Sequence, residues 1–218
     1  MPQPSGPGHD CPRCPRLVAF RKNWRKQQPE WFNAPVDSFG PSDARLLIVG
    51  LAPGLRGANR TGRPFTGDYA GDLLYSTLLK FGFAQGQYQA RPDDGLQLID
   101  CRITNAVRCV PPENKPTIEE ITTCRQFLFA TLADMPRLSV VLALGRIAHD
   151  SVVVAQGARR SAYPFAHGGV HEVGAFRLYN SYHCSRLNTN TGVLTPKMFC
   201  DLIGTIRADL DAQTSAVA

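Results

Sequence analysis

The chain has 218 residues, with 24 Lys and Arg against 18 Asp and Glu, a formal charge of +6 at pH 7. Hydrophobic residues make up 43% and charged residues 19%, so a chain of this length buries a real core as one domain, without disulfide support. No apolar run reaches the length that spans a bilayer, which argues against a membrane protein, and the mild positive charge favours anionic partners such as nucleic acid.

In chain order, Met1 to His9 is Pro/Gly-rich and lacks the apolar stretch of a secretory signal. Residues 1–10 therefore read as a disordered lead into a cytoplasmic protein. Arg13, Arg16, Arg21, Lys22, Arg25 and Lys26 then crowd one segment, which is either a phosphate-binding face or a solvated basic helix. Ala44 to Gly50 is a short apolar run that predicts a buried strand. A long Gly/Pro-containing loop follows, up to about Gly71. Leu73, Leu74, Thr77, Leu78 and Phe81 recur at helical spacing. Leu98 to Asn105 predicts a second strand. Thr117 and Glu120 form a capping-box pattern before a helix that runs to about Met135. Ser139 to Leu144 is a third strand, Arg146 to about Ala155 a helix, and Ala175 to Ser181 a fourth strand. Thr195-Pro196 starts a last helix, with proline in the first turn where its missing N–H costs least.

Strands alternating with helices predict an α/β fold: a three-layer αβα sandwich around a central, mainly parallel four-stranded sheet, with residues 11–218 as one domain. Sites in such folds lie beyond the carboxyl ends of the strands. The unusual polar segments fall there: Leu51 to Asp68, Asn105 to Lys115, and His183 to Asn190.

Seven cysteines, an odd number with no secretory signal, make metal ligation a better default than a disulfide framework. Cys11 and Cys14 form a C-x-x-C pair. With Cys109 and Cys124 they make a four-thiolate set for zinc or an iron–sulfur cluster; the alternative is that Cys109 and Cys124 are small buried apolar residues. Cys101 and Cys200 read as core packing. Cys184, beside His183, is poor evidence for a nucleophile, because adjacent side chains rarely face each other.

The loop from Gly50 to Asp68 is the most informative segment. Its glycines let backbone approach a ligand closely, and it also holds Arg56, Arg60, Arg63, Phe65 and one acid, Asp68. It lacks G-K-[ST] and the G-x-G-x-x-G spacing. The residues alone indicate a ligand loop for phosphate or a nucleobase.

Gly50-Leu51-Ala52-Pro53-Gly54 with Asn59-Arg60-Thr61-Gly62 resembles the first motif of the uracil-DNA glycosylase superfamily. The apolar Leu51-Ala52 step is similar to that of its family 5. Ser181-Tyr182-His183-Cys184-Ser185-Arg186-Leu187-Asn188 resembles the second motif. Ala106 to Cys109 with Pro111 to Pro116 resembles the segment between. The resemblance runs from Cys11 onward. It implies removal of uracil, and of other deaminated bases such as hypoxanthine and xanthine, from DNA by a monomeric enzyme. It also implies that Cys11, Cys14, Cys109 and Cys124 hold a structural [4Fe-4S] cluster, with zinc as the second candidate.

The implied site has Asp68 activating water or stabilising the sugar cation, His183 donating to the base, and Asn114 positioning water or substrate. Gly50, Ala52, Pro53, Gly54, Phe65 and Asn105 bind the base, with Phe65 stacking on it. Arg56, Arg60, Arg63 and Arg186 contact phosphates, and Leu187 wedges into the vacated stack. Asn105 is a departure: some family 5 members carry a small apolar residue there, and an amide favours uracil. The rival reading is a metal-stapled nucleic-acid-binding module without catalysis, which leaves Asp68 and His183 without a role.

Overall fold

Leu46-Leu47-Ile48-Val49 is apolar at every position, and every residue of the strand it starts is buried. A strand hidden on both faces shows no alternation, as in a parallel sheet covered by helices. The computed structural model describes residues 6–215 and has this arrangement. The elements in chain order are α1 (Pro15–Gln27), β1 (Leu46–Gly50), α2 (Ala58–Thr61), α3 (Tyr69–Lys80), β2 (Ala84–Gln85), β3 (Gln97–Leu98), β4 (Cys101–Asn105), α4 (Ile118–Ala133), β5 (Val140–Leu144), α5 (Arg146–Ala155), β6 (Val170–Val173), β7 (Phe176–Ser181), α6 (Arg186–Asn190) and α7 (Pro196–Ser215).

The main sheet runs β4-β1-β5-β7-β6. The first four strands are parallel, and β6 joins antiparallel to β7. The sheet therefore has five strands rather than the expected four. The added strand is an edge whose only buried residue is Val173, so Val-His-Glu-Val carries no core periodicity to announce it. The small β2–β3 ribbon and the short helices α2 and α6 were also absent from the sequence expectation.

The sheet faces divide the core in two. Leu46 and Ile48 pack with Leu74 and Leu78 of α3 and Ile203 and Ile206 of α7. Leu47 and Val49 pack with Leu128 of α4 and Val152 of α5. Each such side chain contributes about 1.5–3 kcal/mol when fully buried. The expected three layers follow from this alternation.

A third, smaller cluster fixes the N-terminal arm. Leu17 of α1 packs with Val107, Cys124 and Phe127, alongside Cys11, Cys14 and Cys109. The first half of the expected disordered lead lies outside the described residues. Its second half is tied down: Cys11 N–H donates to Gly8 O, and Arg25 pairs with Asp10. No helix among the described residues is long and apolar enough to cross a membrane.

The predicted capping box is present in α4. Thr117 Oγ1 accepts from the Glu120 N–H at 3.2 Å, and Glu120 Oε2 accepts from the Thr117 N–H at 2.8 Å. The same carboxylate takes Arg16 Nε at 2.8 Å and Nη2 at 2.7 Å. Glu120 thus caps one helix and holds another. Glu120→Ala is expected to lower stability by about 2 kcal/mol, from the lost cap and a pair discounted for the solvent exposure of Arg16. Urea unfolding measures this; a change within 0.5 kcal/mol, about the scatter of surface substitutions, refutes it.

Candidate active site

β1 and β4 end side by side, with Gly50 paired to Asn105. β7 ends at Ser181, and His183 follows just beyond it. The three segments that leave these strand ends converge on one cavity of about 350 Å³. Ala52, Pro53, Gly54, Phe65 and Asp68 line it from the first loop, Asn105 and Asn114 from the second, and His183 and Arg186 from the third. Leu51, Tyr69, Ala70 and Ser185 also line it and were not anticipated. The aromatic Tyr69 next to Asp68 in sequence was the available signal. Gly50 lies beneath the cavity rather than in its wall. A Cβ there would overlap Asn105 Oδ1 and come within 2.6 Å of the Phe65 ring, so only glycine leaves room for both.

Asp68 occupies the N-cap position of α3, yet its side chain makes no capping bond. Its Oδ1 is buried without a hydrogen-bond partner among the described residues. Burial pushes its carboxyl above the ordinary range, and Asp72 adds to this, while the N–H groups of Gly71 and Ala70 oppose it. Gly57 packs so close that a Cβ would overlap Asp68 Oδ2. Asn105 is 3% exposed, and its Oδ1 is likewise unpartnered. A buried polar atom without a partner costs about 1–3 kcal/mol, and both of these belong to residues that line the cavity.

His183 is pushed below the ordinary imidazole range by burial, which makes the neutral ring its form at neutral pH. Its ring stacks beside Phe65 with centroids 5.9 Å apart and planes 28° apart. Phe65 is held at φ +52°, a left-handed conformation rare for a bulky residue. Its carbonyl accepts from Tyr88 Oη at 3.2 Å, and the preceding Pro64 carbonyl accepts from Tyr75 Oη at 2.6 Å.

Arg63 corrects one expectation. It does not face solvent as a phosphate contact. Its guanidinium donates to both oxygens of Asp94, at 2.7 and 2.8 Å, and to Thr66 Oγ1 at 2.7 Å. It lies over the rings of Phe39, Tyr75 and Tyr88. These bonds hold the Asp94 carboxyl far below its usual range. Charge alone drew Arg63 into the predicted DNA set; burial assigns it to the scaffold of the Phe65 loop. Arg56 and Arg60 are exposed outside the cavity. Arg186 lies over the Tyr69 ring at 5.2 Å, and Leu187 beside it is 72% exposed. Asn114 sits exposed at the rim with φ +56°.

Cys11, Cys14, Cys109 and Cys124 form no disulfide and line a second cavity. No carboxylate or imidazole lines it among the described residues. The Arg108 N–H donates to Cys124 Sγ at 3.3 Å and Arg21 Nη1 to Cys109 Sγ at 3.6 Å. Burial pushes Cys14 up to about 11 and Cys109 up to about 12. No three candidate ligands among the described residues stand closed around one point. A soft, all-sulfur donor set with N–H groups directed at the sulfurs fits zinc or an iron–sulfur cluster in chemistry. Cys101 and Cys184 are fully buried, and Cys184 Sγ donates to Ala70 O at 3.5 Å, so neither is placed to act as a nucleophile.

A parallel sheet with such a cavity at its carboxyl edge defines an α/β protein with a candidate ligand site where such folds carry one. Residues 37–207 match the model of the Uracil DNA glycosylase superfamily, and the chain belongs to that superfamily, among its type-5 members. The type-5 uracil-DNA glycosylase of Thermus thermophilus is 45% identical over 200 residues, covering 88% of this chain and 90% of that one. That of Pyrobaculum aerophilum is 39% identical over 204 residues, covering 92% and 89%. That of Mycobacterium tuberculosis is 42% identical over 204 residues, covering 88% and 75%. Among solved structures, that of wild-type Pedobacter heparinus SMUG2 superposes with a TM-score of 0.49 at 13% identity, over 91% of this chain and 82% of that one.

Arg63→Ala leaves Asp94 charged and unpaired, and is expected to cost about 3–5 kcal/mol. Chemical denaturation checks this; near-wild-type stability would return Arg63 to the surface role.

Proposed function

We propose that this protein hydrolyses the N-glycosidic bond of uracil in DNA and leaves an abasic site. The observation that carries the reading is that Asp68 and Asn105, each with a buried, unpartnered oxygen, line one cavity together with Phe65 and His183. Hypoxanthine and xanthine belong to the proposed substrate range, since they too are deaminated bases with carbonyl edges. The base leaves the duplex stack to enter the cavity, at a cost of a few kcal/mol that is lowest at a mismatch. Arg56, Arg60 and Arg186 meet phosphates, and Leu187 fills the gap in the stack.

Inside, Phe65 offers its face to the base and Asn105 reads the polar edge. Bond breaking gives the sugar cationic character and leaves negative charge on the base. Asp68 serves the sugar side, by stabilising the cation and taking a proton from water. Neutral His183 donates an N–H to the base carbonyl where that charge collects. Asn114 at the rim orients water or substrate. Cys11, Cys14, Cys109 and Cys124 would hold a [4Fe-4S] cluster, with zinc as the second candidate. Such a centre supplies a cross-link between the N-terminal arm and α4.

Asp68→Asn is expected to excise uracil from an oligonucleotide about 10²–10⁴-fold more slowly, read by alkaline cleavage. The same variant tests the raised carboxyl. A raised value means that the folded state favours the protonated form, so wild-type stability is lost as pH rises through it. Asp68→Asn should therefore melt higher than wild type at pH 7, with the gap closing as pH falls towards the ordinary carboxyl value of 3.8. A gap of the opposite sign refutes the burial argument. Asn105→Ala should weaken uracil excision more than hypoxanthine excision; equal losses on the two substrates refute the edge-reading role.

A further inference from the structure

Beside the four cysteines lie two side chains that the proposed reaction does not use. Arg21 is 3% exposed and Arg108 is 1% exposed. A buried guanidinium is ordinarily paired with a carboxylate, but no ion pair joins either one to an acid among the described residues. Arg21 donates to Cys11 O at 3.0 Å and to Cys109 Sγ at 3.6 Å. Arg108 donates to Thr131 Oγ1 at 2.7 Å, Ser38 Oγ at 3.1 Å and Val36 O at 3.4 Å. All of these partners are neutral. Nε of each is buried without a partner. Both line the four-cysteine cavity. Two charges have thus been taken out of water with no carboxylate paired to either among the described residues.

The balance is at hand if the four sulfurs are thiolates around a metal centre. Four thiolates on one zinc ion, or on an oxidised four-iron, four-sulfide core, carry a net charge of about minus two. We propose that Arg21 and Arg108 are the built-in counter-charges of that centre. They neutralise it from opposite neighbours: Arg21 from α1, which follows the Cys11–Cys14 pair, and Arg108 from the segment that carries Cys109. The Arg21 guanidinium donates to Cys109 sulfur, and the Arg108 backbone N–H donates to Cys124 sulfur. Asp37, the acid that attracts Arg108, is exposed and forms no ion pair with it. The inference rests on the reading of the four cysteines as a ligand set, and says which neighbours make that set hold its ion.

The test uses the protein purified without oxygen, as wild type and as Arg21→Met, Arg108→Met and Arg108→Lys. Iron, sulfide and zinc are counted per chain, and release is timed with a mercurial thiol reagent. Outer partners of a metal site are typically worth 10–100-fold in affinity, so both Met variants should lose their metal at least about tenfold faster. Lysine at 108 restores the charge and should recover most of the retention. Melting is then compared before and after metal is stripped. Arg108→Met should lose more in the loaded protein than in the stripped one, which a merely structural arginine would not do. Release at the wild-type rate, or equal losses with and without metal, overturns the counter-charge role. A wild type that holds neither iron nor zinc overturns the ligand set beneath it, and is told apart by the metal count alone.

Discussion

The site depends on one constraint, the absence of a side chain at Gly50. Parallel pairing puts Gly50 opposite Asn105 at the sheet's carboxyl edge, and the space a Cβ would fill holds the Asn105 amide and the Phe65 ring. An aromatic face and an amide can then meet at one strand end. Everything that lines the cavity is arranged around that gap. The loop after β1 folds back to bring Asp68 in, and the residues after β7 bring His183 against Phe65.

Holding this arrangement works against stability. Asp68 keeps one carboxylate oxygen buried without a partner, and burial pushes its carboxyl above the ordinary range. Asn105 keeps an oxygen dry and unpaired, and Phe65 takes a backbone conformation suited to glycine. Each is a local loss of order 1–3 kcal/mol. The compensation lies close by. Tyr75 and Tyr88 bind the carbonyls on either side of the strained residue, and the Arg63–Asp94 pair locks the loop beneath it.

Most of the scaffold was legible in the sequence because its signals are local. The unbroken apolar runs of β1 and β5 and the Thr117–Glu120 box need only their neighbours to be read. The edge strand β6 was not legible, because one buried valine in four residues leaves no period. Among the site residues, Asp68, Phe65, Asn105, Asn114 and His183 were named in advance and line one cavity. Arg63 was misjudged because sequence shows a charge and not its partner. Asp94, 31 residues on, lies in a stretch with no motif. Arg21 and Arg108 were passed over for the same reason: one was counted in a basic run and the other read only as part of a motif.

The clamp on Phe65 has a consequence for timing. The ion pair and two tyrosine hydroxyls brace the Phe65 wall against reshaping, so under the proposed function the movement would fall on the nucleic acid. Under the proposed function, the duplex sets the pace. Lesions would be sorted first by how readily each base pair opens, and only then by fit, so weakly paired bases would enter the rigid pocket ahead of well-paired ones.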